Sequence, residues 1–299
     1  MVRLAHFSDI HITASPLGWR RGDWLNKRFT SWANLRFSGR QKRFARADEV
    51  LARLVDDLPG RRIDHIVFSG DATALGFEPE FRRAAELLRV ATEPIPGIAV
   101  PGNHDYMTRG VAASGLFERY FAPWQTGVRI SEDHYPFAQR AGPLWLVGVN
   151  AATGNWIPWD AAGKVGSRQC DRLRALLESL APGPRVLVIH YPIRLSTGEA
   201  EPRRHGLRDL AQVLAVAKLG GVCLWLHGHR HDPYFFDQRA WAPFPAICAG
   251  SGTERGVWSY NEYTIDGPDL QGVRRAFDPA LGRFVDTQAF DIRLPGQAL

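Results

Sequence analysis

Residues 2–11 read Val-Arg-Leu-Ala-His-Phe-Ser-Asp-Ile-His: a short, largely apolar run that ends abruptly on an Asp-x-His triplet. The same design recurs down the chain. His65–Phe68 runs into Ser69-Gly70-Asp71, and Gly97–Val100 runs through Pro101 into Gly102-Asn103-His104-Asp105. Val186–Ile189 ends on His190, and Val222–Leu226 leads through His227 into Gly228-His229-Arg230-His231. Leu144–Val149 and Ala246–Ala249 add two further apolar runs. Several of these are too uniformly apolar for a strand with one wet face, so they predict central strands buried on both sides.

Amphipathic stretches separate the runs. In 40–58, Phe44, Ala47, Leu51, Leu54, Val55 and Leu58 recur at steps of three and four, opposite Arg43, Arg46, Glu49, Arg53 and Asp56. That is the pattern of a helix packed on one side, stopped by Pro59-Gly60. A second helix is expected over 167–180 with Ser167 as its cap, and a third over 207–219, closed by Gly220-Gly221. Strands alternating with helices predict an α/β architecture. Beyond about residue 255 the pattern changes to short strands at Glu262–Asp266 and Gly272–Phe277, followed by a loose terminus. No Pro-rich or Ser/Gly-rich linker divides the chain, so residues 1–299 are read as one domain.

Composition excludes several classes. Apolar residues make up 45% and charged residues 23%, which is the balance of a soluble globular chain and not of a disordered one. No stretch approaches the ~18 consecutive apolar residues of a membrane span, and the N-terminus lacks the apolar core of a secretory signal. Three cysteines, Cys170, Cys223 and Cys248, form no CxxC pair. A reducing, cytoplasmic setting follows as the expectation. The net charge of +6 is concentrated in residues 17–46, where nine Lys/Arg face one acid, Asp23. The same segment carries Trp19, Trp24, Leu25, Phe29, Trp32, Leu35, Phe37 and Phe44. A basic and aromatic segment of this kind could lie at a membrane interface, cover a cleft, form a homo-oligomer face or dock on its own domain.

The chemistry sits where the apolar runs stop. In open α/β sheets ligands gather outside the carboxyl ends of strands, and five such ends here carry carboxylates, an amide and imidazoles. That donor set suits manganese, iron or zinc better than a thiolate-seeking metal. In an extended segment residues i and i+2 point the same way, so Asp9 and His11 are expected to grip one ion together. His229 and His231 would do the same unless a turn sends them to neighbouring ions. Gly70, Gly102 and Gly228 are expected to permit the turns that aim the chain at the site.

The ordered set D-x-H, G-D, G-N-H-D, H, G-H-x-H over residues 9–231 resembles the calcineurin-like metallophosphoesterase superfamily, with every signature position filled. The resemblance implies an αββα sandwich of two mixed β-sheets flanked by helices. It implies two metal ions, the first held by Asp9, His11 and His231, the second by Asn103, His190 and His229, with Asp71 bridging both. His104 would contact the phosphate and protonate the leaving oxygen, and Asp105 would orient His104. The reaction implied is hydrolysis of a phosphate ester by a hydroxide that bridges the two ions.

Within that superfamily the Gly102–Asp105 form and the chain length resemble the class III cyclic-nucleotide phosphodiesterases. The expected substrate is a small-molecule phosphodiester, nucleotide or lipid-linked. The basic-aromatic segment keeps open a UDP-diacylglucosamine-type lipid pyrophosphatase with a peripheral membrane contact, and Trp156 and Trp159 could stack on a base or sugar. No second domain for a duplex is visible, so no stable nucleic-acid partner is expected. The reading from another class is a non-catalytic scaffold on the same fold; its mark is lost ligands, and none is lost here. His6 and His227 are read as packed and His65, His134 and His205 as structural, while Arg230 is read as either a phosphate contact or solvent-exposed.

Overall fold

The computed structural model describes residues 1–296; the last three residues, where the loose terminus was expected, lie outside the described residues. Twelve strands form two six-stranded sheets. The first has the order β12-β11-β10-β1-β2-β3, built from β1 (Val2–Phe7), β2 (His65–Phe68), β3 (Gly97–Ala99), β10 (Ser259–Asp266), β11 (Asp269–Asp278) and β12 (Arg283–Arg293). The second has the order β4-β5-β6-β7-β9-β8, from β4 (Phe137–Ala141), β5 (Leu144–Gly148), β6 (Arg185–Val188), β7 (Val222–His227), β8 (Tyr234–Phe236) and β9 (Ala246–Cys248). The first sheet is parallel over β1-β2-β3, out to its β3 edge, and antiparallel over β10-β11-β12, while the second is parallel over β5-β6-β7-β9 and antiparallel at both edges.

Alternation along the strands explains the layers. Val2 and Leu4 of β1 and Val67 of β2 face Leu146, Val186, Val188, Leu224 and Leu226 of the other sheet. The next residues along, Ala5 and Phe7 of β1 with Ile66 and Phe68 of β2, face helices α3 (Ala47–Asp57) and α4 (Glu78–Leu87). On the far side Val147, Leu187 and Trp225 pack under α7 (Ser167–Ser179) and α8 (Leu210–Leu219). Three apolar layers thus separate helix, sheet, sheet and helix, which is the expected αββα sandwich. Burial on both faces is why these strands read as unbroken apolar runs. His6 sits in the inter-sheet layer, its ring nitrogens 2.9 Å from Tyr263 Oη and 2.9 Å from Ser69 Oγ, and so is a packed histidine, as read.

Three expectations need correction. The single helix expected over 40–58 is broken into α2 (Arg40–Arg43) and α3, the first being the close of an insertion that also holds α1 (Lys27–Phe37). The break lets Phe44 turn inward, with its ring centroid 5.1 Å from that of His11. Ser167 is the first helical residue of α7 and Gly166 precedes it as the cap, because the Gly166 N–H donates to Asp209 Oδ2 at 2.7 Å. The helix expected from 207 starts at Leu210. Two short helices, α5 (Arg109–Ser114) and α6 (Leu116–Tyr120), complete the set. No helix among the described residues is long and apolar enough to cross a membrane.

The insertion docks on its own fold. Leu17, Trp19, Trp32 and Leu35 pack against Ala74, Leu75, Phe77 and Met107. Lys27 is buried and its Nζ donates to the carbonyl of Asp160 at 2.8 Å. Arg28 is clamped between Asp23 Oδ1, at 2.8 Å, and the carbonyls of Leu75 and Gly76. Trp24, Leu25 and Phe37 remain exposed.

Candidate metal centre

The loops that leave β1, β2 and β3 of one sheet and β6 and β7 of the other converge at one end of the sandwich and bring all the expected ligands together. Asp9 Oδ1 lies 3.8 Å from His11 Nε2 and 3.6 Å from His231 Nε2, and those two nitrogens are 3.1 Å apart. Next to them, Asn103 Oδ1 is 3.2 Å from His190 Nε2 and 3.0 Å from His229 Nδ1. Asp71 stands between the two groups, with Oδ2 3.7 Å from His11 Nε2 and 3.5 Å from His190 Nε2. His229 and His231 therefore part company at the turn between them, one to each group.

The backbone reaches this arrangement by an unexpected route. Asp9, His11, Asp71 and His229 have φ of 51°, 43°, 57° and 68°. Asp9 and His11 were expected to be extended; they are left-handed instead. Such a conformation is uncommon outside glycine and stores on the order of 1–3 kcal/mol per residue. Of the seven non-glycine residues with positive φ among the described residues, four are these ligands, so strain is concentrated at the site. Gly102 and Gly228 serve close approach. A Cβ on Gly102 would lie 2.1 Å from Asp71 Oδ1, and one on Gly228 would lie 1.9 Å from Ser8 Oγ.

A second layer of contacts fixes the rings. His190 donates from Nδ1 to the Ser69 carbonyl at 2.8 Å, which leaves Nε2 to face the site. His231 Nδ1 donates to Glu254 Oε2, and Glu254 is in turn paired with Arg43. A carboxylate behind a ligating imidazole sets its tautomer and raises its basicity. Ser251 Oγ and Thr253 Oγ1 donate to the carbonyls of Asp9 and Ile10 at 2.7 and 2.6 Å, pinning the first loop.

The electrostatics fit a cation. Burial alone would raise Asp71, but His190, His104 and His11 hold its carboxyl well below the usual range. Burial raises Asp9 against the pull of His190 and His231. His11 and His229 are pushed down by burial, so their lone pairs are available. Burial also works to lower His190, yet the carboxylates of Asp71 and Asp9 carry it up to about 9. Asp9 Oδ1 is buried with no hydrogen-bond partner and aimed at the space shared by two imidazole nitrogens. An unpaired buried carboxylate oxygen is costly unless a cation meets it. Three donor groups, Asp9 with His11 and His231, Asp9 with Asp71 and His190, and His11 with Asp71 and His104, each have their ligand atoms within 4.8 Å of one another. The residues present therefore fit two ions side by side.

A profile of calcineurin-like phosphoesterases matches residues 2–233. The chain belongs to that family. No curated protein sequence matches it. Among solved structures, this calcineurin-like phosphoesterase is similar to a dimetal phosphatase from Danio rerio, at 14% identity and a TM-score of 0.67, over 98% of this chain and 99% of that one. It is also similar to a purple acid phosphatase from yellow lupin seeds, at 15% identity and a TM-score of 0.60, over 98% of this chain and 53% of that one. A third likeness is to a protein described as the anchor in the inner membrane complex of Plasmodium, at 12% identity and a TM-score of 0.52, over 99% of this chain and 90% of that one. At these identities the likeness is one of fold.

Two residues named from the family pattern behave differently from each other here. His104 stands beside the metal ligands, its ring 4.6 Å from that of His11, with Nδ1 donating to the Ala74 carbonyl at 2.7 Å. Asp105 does not hold the His104 ring. Its oxygens accept from the backbone N–H groups of Ala72, Thr73 and Gly102 and from Thr73 Oγ1, at 2.9 to 3.2 Å. It stitches the loop after β2 to the loop after β3, and so positions His104 through the backbone. Asp71 joins in, since its Oδ1 accepts from the His104 N–H at 2.7 Å.

The family pattern also leaves out three residues of this calcineurin-like phosphoesterase: Arg40, Arg43 and Glu254. Only Glu254 had a sequence signal, since it lies in a Gly-Ser-Gly-Thr-Glu string that follows a buried strand as the other site segments do. Arg40 and Arg43 are two of nine basic residues in the insertion, and nothing in their spacing marks them. Arg230 pairs with Glu201 at 3.2 Å. His227 is buried with Nδ1 donating to the Gly228 carbonyl at 2.9 Å, a structural role as read.

Proposed function

We propose that this family member is a phosphodiesterase with two metal ions, manganese, iron or zinc, held by Asp9, His11, Asp71, Asn103, His190, His229 and His231. The observation that carries the reading is Asp71, one carboxylate oxygen between two imidazole-bearing groups, which is what a shared ligand requires. When bound, the ions neutralise the phosphate's charge and lower the pKa of water at the site. The chain's own residues do the rest. Asn103 and the imidazoles fix the geometry, and His104, a ring that burial pushes down to about 3, would act as proton donor to a departing alkoxide only after its Nε2, which accepts from Arg40, takes up a proton as the phosphate enters.

A specific observation supports the second reading, a lipid-linked pyrophosphatase. A cavity of about 1300 Å³ adjoins the insertion and is lined by Trp24, Phe29 and Trp156 together with Arg20, Arg82 and Arg109; none of the metal ligands lines it, so it would take a remote part of a substrate and not the reacting phosphate. Such walls suit an amphipathic phosphate ester, and exposed Leu25, Phe37 and Trp159 would favour a membrane surface that carries one. The scaffold reading has less support, because every ligand position is occupied by a competent donor.

The test is hydrolysis of bis(4-nitrophenyl) phosphate beside 4-nitrophenyl phosphate, with manganese, iron or zinc returned to metal-stripped protein. Metal-dependent cleavage favouring the diester is expected. Preference for the monoester would make the enzyme a phosphatase, and no cleavage of either ester or of a lipid diphosphate with any metal would sink the hydrolase reading.

A further inference from the structure

The geometry points to Arg40, supplied by the insertion, as the residue that grips the substrate's phosphate beside the metal ligands. This rests on the phosphoesterase reading above. Arg40 opens α2, and the turn of helix that places it there also presents Arg43, three residues on, to the same end of the sandwich. The two arginines have different fates. Arg43 is neutralised by Glu254. Arg40 pairs with no carboxylate among the described residues; its one side-chain hydrogen bond is from Nη2 to His104 Nε2, at 3.4 Å.

Arg40 is half-buried and pairs with no carboxylate among the described residues, so most of its donors stay open to an incoming anion. It sits within the field of Asp71, Glu254 and Asp9, close enough for their charges to act on it, yet touches none of them. Imidazole nitrogen at 3.4 Å is a weak acceptor for it. A phosphate oxygen is a far better one, because the planar fork matches two phosphate oxygens at once. When a phosphate enters, Arg40 therefore exchanges His104 Nε2 for the phosphate oxygens, and the Nε2 lone pair it gives up becomes free to take up a proton. Phe44, whose ring centroid is 5.9 Å from the Arg40 guanidinium carbon, backs the side chain on the apolar side.

The experiment is binding of inorganic phosphate to the full-length, manganese-loaded protein by calorimetry, for wild type, Arg40→Gln, Arg40→Lys and Arg36→Gln, with metal content and melting temperature recorded for each. Arg36 is on the same insertion and pairs outward with Gln41, so its variant controls for general basic charge. Arg40→Gln is expected to weaken phosphate about 10- to 100-fold, the range of a lost charge-assisted pair, with metal content unchanged. Arg40→Lys should recover only part of the loss. An unchanged phosphate affinity in Arg40→Gln overturns the proposal, as does an equal loss in Arg36→Gln or a loss of metal in Arg40→Gln, which would make Arg40 structural. Wild-type protein that binds phosphate through Arg40 but cleaves no ester would sink the hydrolase reading and leave the phosphate grip standing.

Discussion

His104 is held at both ring nitrogens, by the Ala74 carbonyl and by Arg40, and neither contact is to a metal ligand. Replacing it with Ala should therefore leave metal content intact while slowing turnover by about 10²- to 10⁴-fold, the scale of a lost proton donor. The loss should shrink for a nitrophenyl leaving group and grow for an alkyl one; equal losses across leaving groups would count against the proton role. Glu254→Ala addresses the layer behind. With no carboxylate behind His231, metal affinity should fall about 10- to 100-fold, measured by titrating metal into stripped protein, and an unchanged affinity would refute the positioning role. The contrast between these two residues shows what the sequence could reveal. Ligands announce themselves because each stands where a buried apolar run stops, several beside a glycine or a second ligand at fixed spacing. Arg40 and Arg43 need only a tertiary neighbour, and that leaves no local trace, while Glu254 shows only the weak mark of a Gly-rich string after a buried strand.

Elements divide in the same way. Central strands such as β1, β2 and β7 are buried on both faces, so their sequences are legible as apolar runs and their ends locate the site. The strands that escaped reading, β4, β8 and β12, are all sheet edges. In β12 only Phe284, Phe290, Ile292 and their alternating neighbours can show a pattern, and the polar run Asp286–Gln288 interrupts it where the pairing with β11 slips at Arg274/Arg275. Helix α4 carries a testable feature at its start. Glu80 is fully buried and accepts the N–H groups of Leu75 and Phe77, both at 3.0 Å, while Glu80 Oε1 has no partner. Burial pushes its carboxyl up to about 8. A carboxyl raised in the fold favours its protonated form there. Its contribution is complete below the ordinary glutamate range near 4.5 and is lost as pH rises through about 8, a change on the order of a few kcal/mol. Glu80→Gln keeps the acceptor and removes the titration. Thermal melts from pH 5 to 9 should show wild type losing stability relative to Glu80→Gln; parallel curves would refute the assignment.

At the scale of the molecule, the site joins two sheets that elsewhere meet mainly through apolar side chains, with His65–Gln139 and Asn261–Cys248 as polar crossings. Cations bound there stabilise the folded state by mass action, since the unfolded chain offers no assembled set of ligands. Chelation should lower the melting temperature by several degrees and added manganese or zinc should restore it, whereas Asp71→Ala should melt at one temperature with or without metal. A chelator-insensitive wild type would show the site does not brace the sheets. The contact order of that brace has a temporal side. His229 meets Asp9 across 220 positions, and Ser251 and Thr253 close on the first loop across 242 and 243. A chain still emerging from the ribosome exposes Asp9, His11 and Asp71 long before His190, His229 and His231 exist. Metal acquisition is thus a seal set last, and the loaded ion is a receipt for a finished fold.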